Sequence, residues 1–255
     1  MRRVAGVAML VVIGGATASG QQPFGPGRGL SDPSLGPRID ILGVQPLEML
    51  APVLGAPFSA ETVSELVQEF VDGNRIEQRM VGSIARDGLG RVRREMPLGV
   101  GGGVRIVTIT VPDERTQYRL DNTNKIAWRL RMPPAPPDRE VAARRPMAEG
   151  VGAEQLAASL WEGVRIEGTR TTSIIPANAI GNQRAIDVIS ERWYSPDLQI
   201  VVKTYHSDPR TGKATYKLVK LVRGEPSTQL FEIPSGFTVR DERPFGPPPP
   251  PASGS

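Results

Sequence analysis

The sequence predicts a mainly β fold, an antiparallel sheet with one or two short helices, on three observations. Strand-like runs are separated by Asp, Asn and Gly clusters that supply the positive φ of tight reversals. One run, Lys125 to Arg131, alternates apolar Ile126, Trp128 and Leu130 with charged Lys125, Arg129 and Arg131. Finally, 18 of the 25 prolines fall within 23–57, 133–146 and 244–251, so the sequence between these stretches has ordinary globular composition.

Residues 1–20 have the pattern of a secretory signal peptide. Met1-Arg2-Arg3 is a positive start, Val4 to Ala16 is an uncharged apolar run, and Ala16 to Gly20 offers small residues for cleavage. The run is shorter than the about 20 residues a membrane-spanning helix needs, and Gly14-Gly15 interrupts it. No later segment is long and apolar enough to span, so the expected location is the periplasm or outside the cell. Losing Arg2 and Arg3 with the leader halves the formal net charge of +4, too small an excess for a nucleic-acid surface. Residues 21–45 are expected to be a Pro/Gly-rich flexible arm and 241–255 a Pro-rich disordered tail; Pro23-Phe24-Gly25-Pro26 recurs as Pro244-Phe245-Gly246-Pro247.

Between the tails, residues 46–240 are expected to form one β-rich domain. Asp72-Gly73-Asn74 separates Thr62 to Val71 from Arg75 to Arg86, and Asp87-Gly88-Leu89-Gly90 separates that run from Arg91 to Met96. In the first run Val63, Leu66, Val67, Phe70 and Val71 have helical spacing and Ser59 is a potential cap, but the run enters a hairpin turn before a strand of equal length. We read 59–71 as a strand and note that its period favours a helix. Val104 to Val111, Tyr118 to Leu120 and Lys125 to Arg131 follow as strands, with turns at 112–115 and 121–124. Residues 133–150 are a Pro-rich connection, and Gly152 to Leu160, rich in Ala, Leu, Glu and Gln, is expected to be a short helix. Strands resume at Gly163 to Ile175, Ala185 to Tyr194, Leu198 to Tyr205 and Ala214 to Arg223.

Composition removes much chemistry. With no cysteine and one histidine there is no disulfide, Cys-ligated metal, thiol nucleophile or multi-histidine centre, and no cofactor fingerprint is present. His206-Ser207-Asp208 has the residue types of a hydrolytic triad, but neighbours in a turn point apart, so His206 is expected to be an exposed turn residue. Pro97 to Gly103 lacks the Gly-Lys-Ser/Thr of a phosphate loop and is expected to be a hairpin loop. Asp187 and Glu191 would stand about 13 Å apart along a strand, too far for paired acid–base work, and Glu162 and Glu167 fall on opposite faces. Arg86, Arg91, Arg93 and Arg94 are expected to form a solvated basic rim.

Several segments carry a resemblance. Gly163 to Thr172, Glu191-Arg192-Trp193-Tyr194-Ser195-Pro196-Asp197-Leu198, Tyr216-Lys217-Leu218 and Leu230-Phe231-Glu232-Ile233-Pro234, with Asp72 to Ile76 and Asp87 to Glu95 before them, resemble a group of uncharacterised exported bacterial proteins over residues 56 to 240. The succession of long hairpins closed by a Phe-x-x-Pro segment is more distantly similar to the lipoprotein-carrier and sigma-regulator (LolA-like) half-barrels of the bacterial envelope. That resemblance implies a curved, half-barrel-like sheet able to shelter acyl chains; without a cysteine, lipid anchoring does not carry over. In such a sheet Ile126, Trp128, Leu130, Leu198, Ile200 and Val202 are the expected cavity lining, and in a covered sheet they are simply core. The expectation is a non-enzymatic exported protein without cofactor or metal whose partner is a lipid, acyl chain or lipoprotein. The alternative is an envelope interaction or structural module that works through its Pro-rich tails.

Overall fold

A computed structural model describes residues 52–98, 103–132 and 151–242. Twelve strands form one sheet: β1 (Phe58–Glu69), β2 (Arg75–Arg86), β3 (Val92–Leu98), β4 (Val104–Val111), β5 (Thr116–Asp121), β6 (Ile126–Arg131), β7 (Val151–Trp161), β8 (Val164–Ile175), β9 (Ile186–Ser195), β10 (Ile200–Asp208), β11 (Gly212–Arg223) and β12 (Thr238–Asp241). Their order is β12-β6-β5-β4-β3-β2-β1-β11-β10-β9-β8-β7. Every neighbouring pair is antiparallel except β12 with β6, and the two ends of the sheet do not meet, which makes it a curved β half-barrel. The signal peptide, the N-terminal arm, the 99–102 part of the predicted Gly-rich loop, the 133–150 connection and the tail from 243 lie outside the described residues.

The hairpins follow the predicted turns closely, and 59–71 is largely strand. Its helical period arises because β1 is central and buries adjacent residues on opposite faces, Val63 and Ser64. Two expectations are corrected. Residues 152–160 are strand β7, and the only helical element among the described residues is a 3-10 turn at Thr228–Phe231. Hydrogen bonds of β7 to β8 along Val151 to Trp161 override a modest intrinsic preference for helix. The short β12, paired in parallel with β6, had no sequence signal.

Curvature is measurable from contacts that a flat sheet forbids. Trp161 on β7 donates from Nε1 to the Leu218 carbonyl on β11 at 2.7 Å, although four strand spacings of about 4.8 Å would hold them roughly 19 Å apart. A β-bulge between Val201 and Lys203 helps this happen. The extra residue reverses the alternation, so Val164 and Ile166 of β8 join Ile200, Val202, Leu218, Phe58 and Ile84 in one apolar cluster at this curled end. A second cluster, Ala85, Val107, Ile109, Leu120 and Ala127, lies on the opposite face and is covered by Phe231, Ile233 and Phe237 of the C-terminal segment.

Two glycines permit close approach. A Cβ on Gly168 would stand 2.7 Å from the Trp193 ring, and one on Gly82 would stand 2.3 Å from the Glu95 carbonyl oxygen and 2.7 Å from Thr62 Oγ1. Backbone cannot yield as a side chain can, so Gly82→Ala is expected to lower stability by about 2–3 kcal/mol. Gly152→Ala, whose Cβ meets nothing within 4 Å, should change it by less than about 0.5 kcal/mol. Urea titration of the two variants checks the difference.

Candidate functional site

Directly paired residues share a face of a sheet, so the ladders allow each face to be followed from strand to strand. Phe58, Ile84, Arg86, Val92 and Thr110 belong to one face, and they converge with Ile200 around a cavity of about 30 Å³. β4 and β10 are five spacings apart in the sheet, so this face is the inner one. The cavity has room for about one water; the curled end is filled by its own side chains.

Arg86 closes that end. Its side chain, 4% exposed, donates from Nε and Nη2 to the Ala56 carbonyl at 3.0 and 2.8 Å and from Nη2 to the Leu198 carbonyl, while Cζ lies 4.9 Å over the Phe58 ring. Arg91 pairs with buried Asp87 at 2.6 Å and stacks on Phe231, and Arg93 pairs with Glu95 and the Leu230 carbonyl. The expected solvated rim is therefore corrected for Arg86, Arg91 and Arg93, which hold the fold because each meets an acceptor or ring supplied from elsewhere in the chain; Arg94 lines the small cavity beside Arg86. Sequence reasoning had no signal for this, since Arg86 and Leu198 are 112 residues apart.

His206 is also corrected. It lies in β10, 8% exposed, with Nδ1 2.8 Å from the hydroxyl of its cross-strand partner Ser190. Asp208 does not orient it; its carboxylate is held by Arg210 at 2.6 Å. Glu191 binds Arg170 at 2.8 Å. Lys203 is sandwiched, its Nζ 5.4 Å from the Trp161 ring centroid and 5.7 Å from that of Trp193.

The expected cavity lining divides into two separate sets. Leu198, Ile200 and Val202 are core at the curled end, at 1%, 4% and 0% exposure. Ile126 and Trp128 are half-buried and Leu130 is exposed, on the inner face of β6. The face of β6 expected to be wet instead holds fully buried Ala127, covered by the C-terminal segment, and Arg129, paired with Asp241 at 2.7 Å. Alanine is too small to mark a buried face by hydropathy.

Away from the curled end the inner face carries a run of half-buried apolar side chains: Leu66 on β1, Met80 on β2, Met96 on β3, Ile106 on β4, and Ile126 and Trp128 on β6. Thr62, Thr108 and Gln117 lie among them. Among the described residues no helix is long and apolar enough to cross a membrane.

No protein-family model matches the chain, and no curated protein matches it. Solved structures similar to it include a chain of the Pseudomonas aeruginosa MucA/MucB complex, 15% identical with a TM-score of 0.41, covering 70% of this chain and 56% of that one. An uncharacterised conserved protein from Thermus thermophilus is 14% identical, with a TM-score of 0.43 and coverage of 74% and 92%. A LolA superfamily protein from Nitrosomonas europaea is 8% identical, with a TM-score of 0.31 and coverage of 72% and 93%. The chain spans little more than half the length of the MucA/MucB chain it matches.

The contacts at the curled end and along the sheet edges can be tested by unfolding. Arg86→Met keeps the contact with Phe58 but deserts two carbonyl groups, so it should cost about 3 kcal/mol in urea unfolding. Hydrogen bonds from Arg210 and Arg129 hold the carboxyls of Asp208 and Asp241 below the ordinary value of 3.8. Stability from such depressed carboxyls is complete above the unfolded-state value and is lost as pH falls through the folded one. The urea midpoint should therefore drop between about pH 5 and about pH 2.5, and less steeply in Arg210→Ala.

Proposed function

We propose that the protein is an exported, non-enzymatic binder of an apolar or amphiphilic envelope ligand, received on the inner face of its open sheet by a single domain spanning 46–240. The observation that carries this reading is the inner-face apolar run outside the packed core. Leu66, Met80, Met96, Ile106 and Trp128 are each half-buried, in a curved sheet that remains open between β12 and β7. A concave surface with apolar side chains left partly uncovered gains by accepting an apolar chain, at about 25 cal/mol per Å² covered. Trp128 offers the largest area, with threonine hydroxyls beside it for polar atoms. The leader pattern at 1–20 supports an envelope setting. Against hydrolysis, the one imidazole is buried and Asp208 is engaged by Arg210 rather than by the ring.

The test is a panel of fatty acids and dodecyl detergents, read by melting temperature and tryptophan fluorescence. A member present at 100 times its Kd should add about 2.7 kcal/mol of stability, a rise of roughly 5–10 °C for a domain of this size. Trp128→Phe should remove the largest part of the fluorescence change. An unchanged melting temperature across the panel would sink the reading.

A further inference from the structure

The two ends of the sheet are built differently. At one end β12 has four residues, two of them the charged Arg240 and Asp241. A short, charged edge is how a sheet is ordinarily kept from pairing with another chain. At the other end β7 has eleven residues, Val151 to Trp161, and β8 is its one neighbour. A strand with a neighbour on one side leaves about half of its N–H and C=O groups, roughly five of each here, without ladder partners.

Little on β7 guards this edge. The strand has no lysine, arginine or proline, and its one charged residue, Glu154, is paired with Arg170 of β8 at 3.4 Å. Its one irregularity against β8 is a bulge between Leu156 and Ser159. Residues 152–155 and 157–160 are all exposed, so neither face of the strand is covered along most of its length.

A second copy of the chain brings the same open edge. Antiparallel pairing of β7 with β7 about a two-fold axis uses the whole strand when its midpoint, Leu156, stands opposite itself. In that register Glu154 faces Ala158 rather than the other Glu154, and Gln155 faces Ala157. Leu160, 77% exposed, faces Gly152, where a Cβ would meet nothing within 4 Å. No like charges meet, and the largest exposed side chain is set against the smallest residue. Joining β7 head to tail with β12 would be limited to four residues and would propagate from copy to copy, whereas the two-fold pairing closes on itself.

We propose that β7 is a self-association edge through which two copies of this chain join their sheets in a closed, antiparallel dimer. Edge-to-edge pairing of one strand per copy buries less surface than a standard interface, so the association is weak, with a Kd of roughly 1–100 µM.

Sedimentation equilibrium of the full chain after the leader, from about 1 to 500 µM, reads this association directly. A reversible dimer is expected, and a monomer throughout the range would overturn the proposal. Gln155→Lys/Ala157→Lys sets lysine opposite lysine on both sides of the axis, at positions exposed in the single copy. It should weaken the dimer at least about tenfold and leave urea unfolding of dilute protein unchanged. Gln155→Lys/Ala157→Glu sets opposite charges face to face in the same register and should restore the dimer. A dimer indifferent to both charge patterns would have its contact elsewhere, and edge pairing would be wrong. Because the chain has no cysteine, Leu156→Cys supplies one thiol per copy, opposite its symmetry mate at a separation a disulfide spans. Mild oxidation should cross-link it and should leave Ala177→Cys, in the turn after β8, as monomer. No cross-link at 156, or equal cross-linking at both positions, would count against the proposal whatever the lysine variants do.

Discussion

The buried guanidinium of Arg86 is the contact on which the shape of the sheet depends. A strongly twisted sheet of twelve strands gains little from burying one face against nothing, so it must curl, split or be covered. Here it curls, and Arg86 spans the gap: it starts on β2, lies over Phe58 of β1, and donates to carbonyls before β1 and in the turn before β10. Those carbonyls belong to irregular backbone without ladder partners to satisfy them, and a buried acceptor without a donor is costly. The arginine therefore solves a backbone accounting problem created by the curl. Trp161 does the same on the other wing, where its indole N–H satisfies Leu218 as β7 folds toward β11.

Concentrating the apolar packing at this end has consequences along the strands. β1, β2, β10 and β11 begin or end among fully buried side chains and run out to a far end that exposes Phe70, Val71 and Ile76. Stability is accordingly uneven, and local opening should be easiest where backbone hydrogen bonds lack buried side chains beside them. The middle of the inner face is neither core nor free surface. A half-buried tryptophan and two methionines in that zone form an adaptable apolar floor, since methionine repacks around differing shapes at low cost.

Local features made much of the sheet legible. Asp-Gly clusters located two reversals because glycine tolerates positive φ, as at Gly73 and Gly90, the Asp121 carboxylate marks another by accepting from the Thr123 and Asn124 amides, and β2 and β4 have the expected bounds. What escaped was whatever depends on contacts distant in sequence. β7 is an edge strand with one partner, so its composition was free to look helical; β12 is four residues whose reason for being extended is β6. His206 and Arg86 looked like surface residues because polarity is the usual sign of exposure, and here each is buried against a specific partner. At the candidate site, alternation in β6 was enough to single out Trp128. The arginines around it come from three other strands, and only the registers place them in a row.

The sorting of charge by face bears on why those arginines are present. On the outer face each ion-paired cation stands near an acid on an adjacent strand or two residues along its own, the arrangement that keeps a solvated sheet soluble at little energetic gain or loss. Strand alternation alone would let the inner face carry the same pairs. Instead, cations there alternate with threonine, tryptophan and aliphatic groups, and Glu242, just past β12, accepts from Arg119. In a concavity the cations stand closer to a lower-dielectric wall than on an open surface, so their mutual repulsion is less screened and their attraction for an anion stronger.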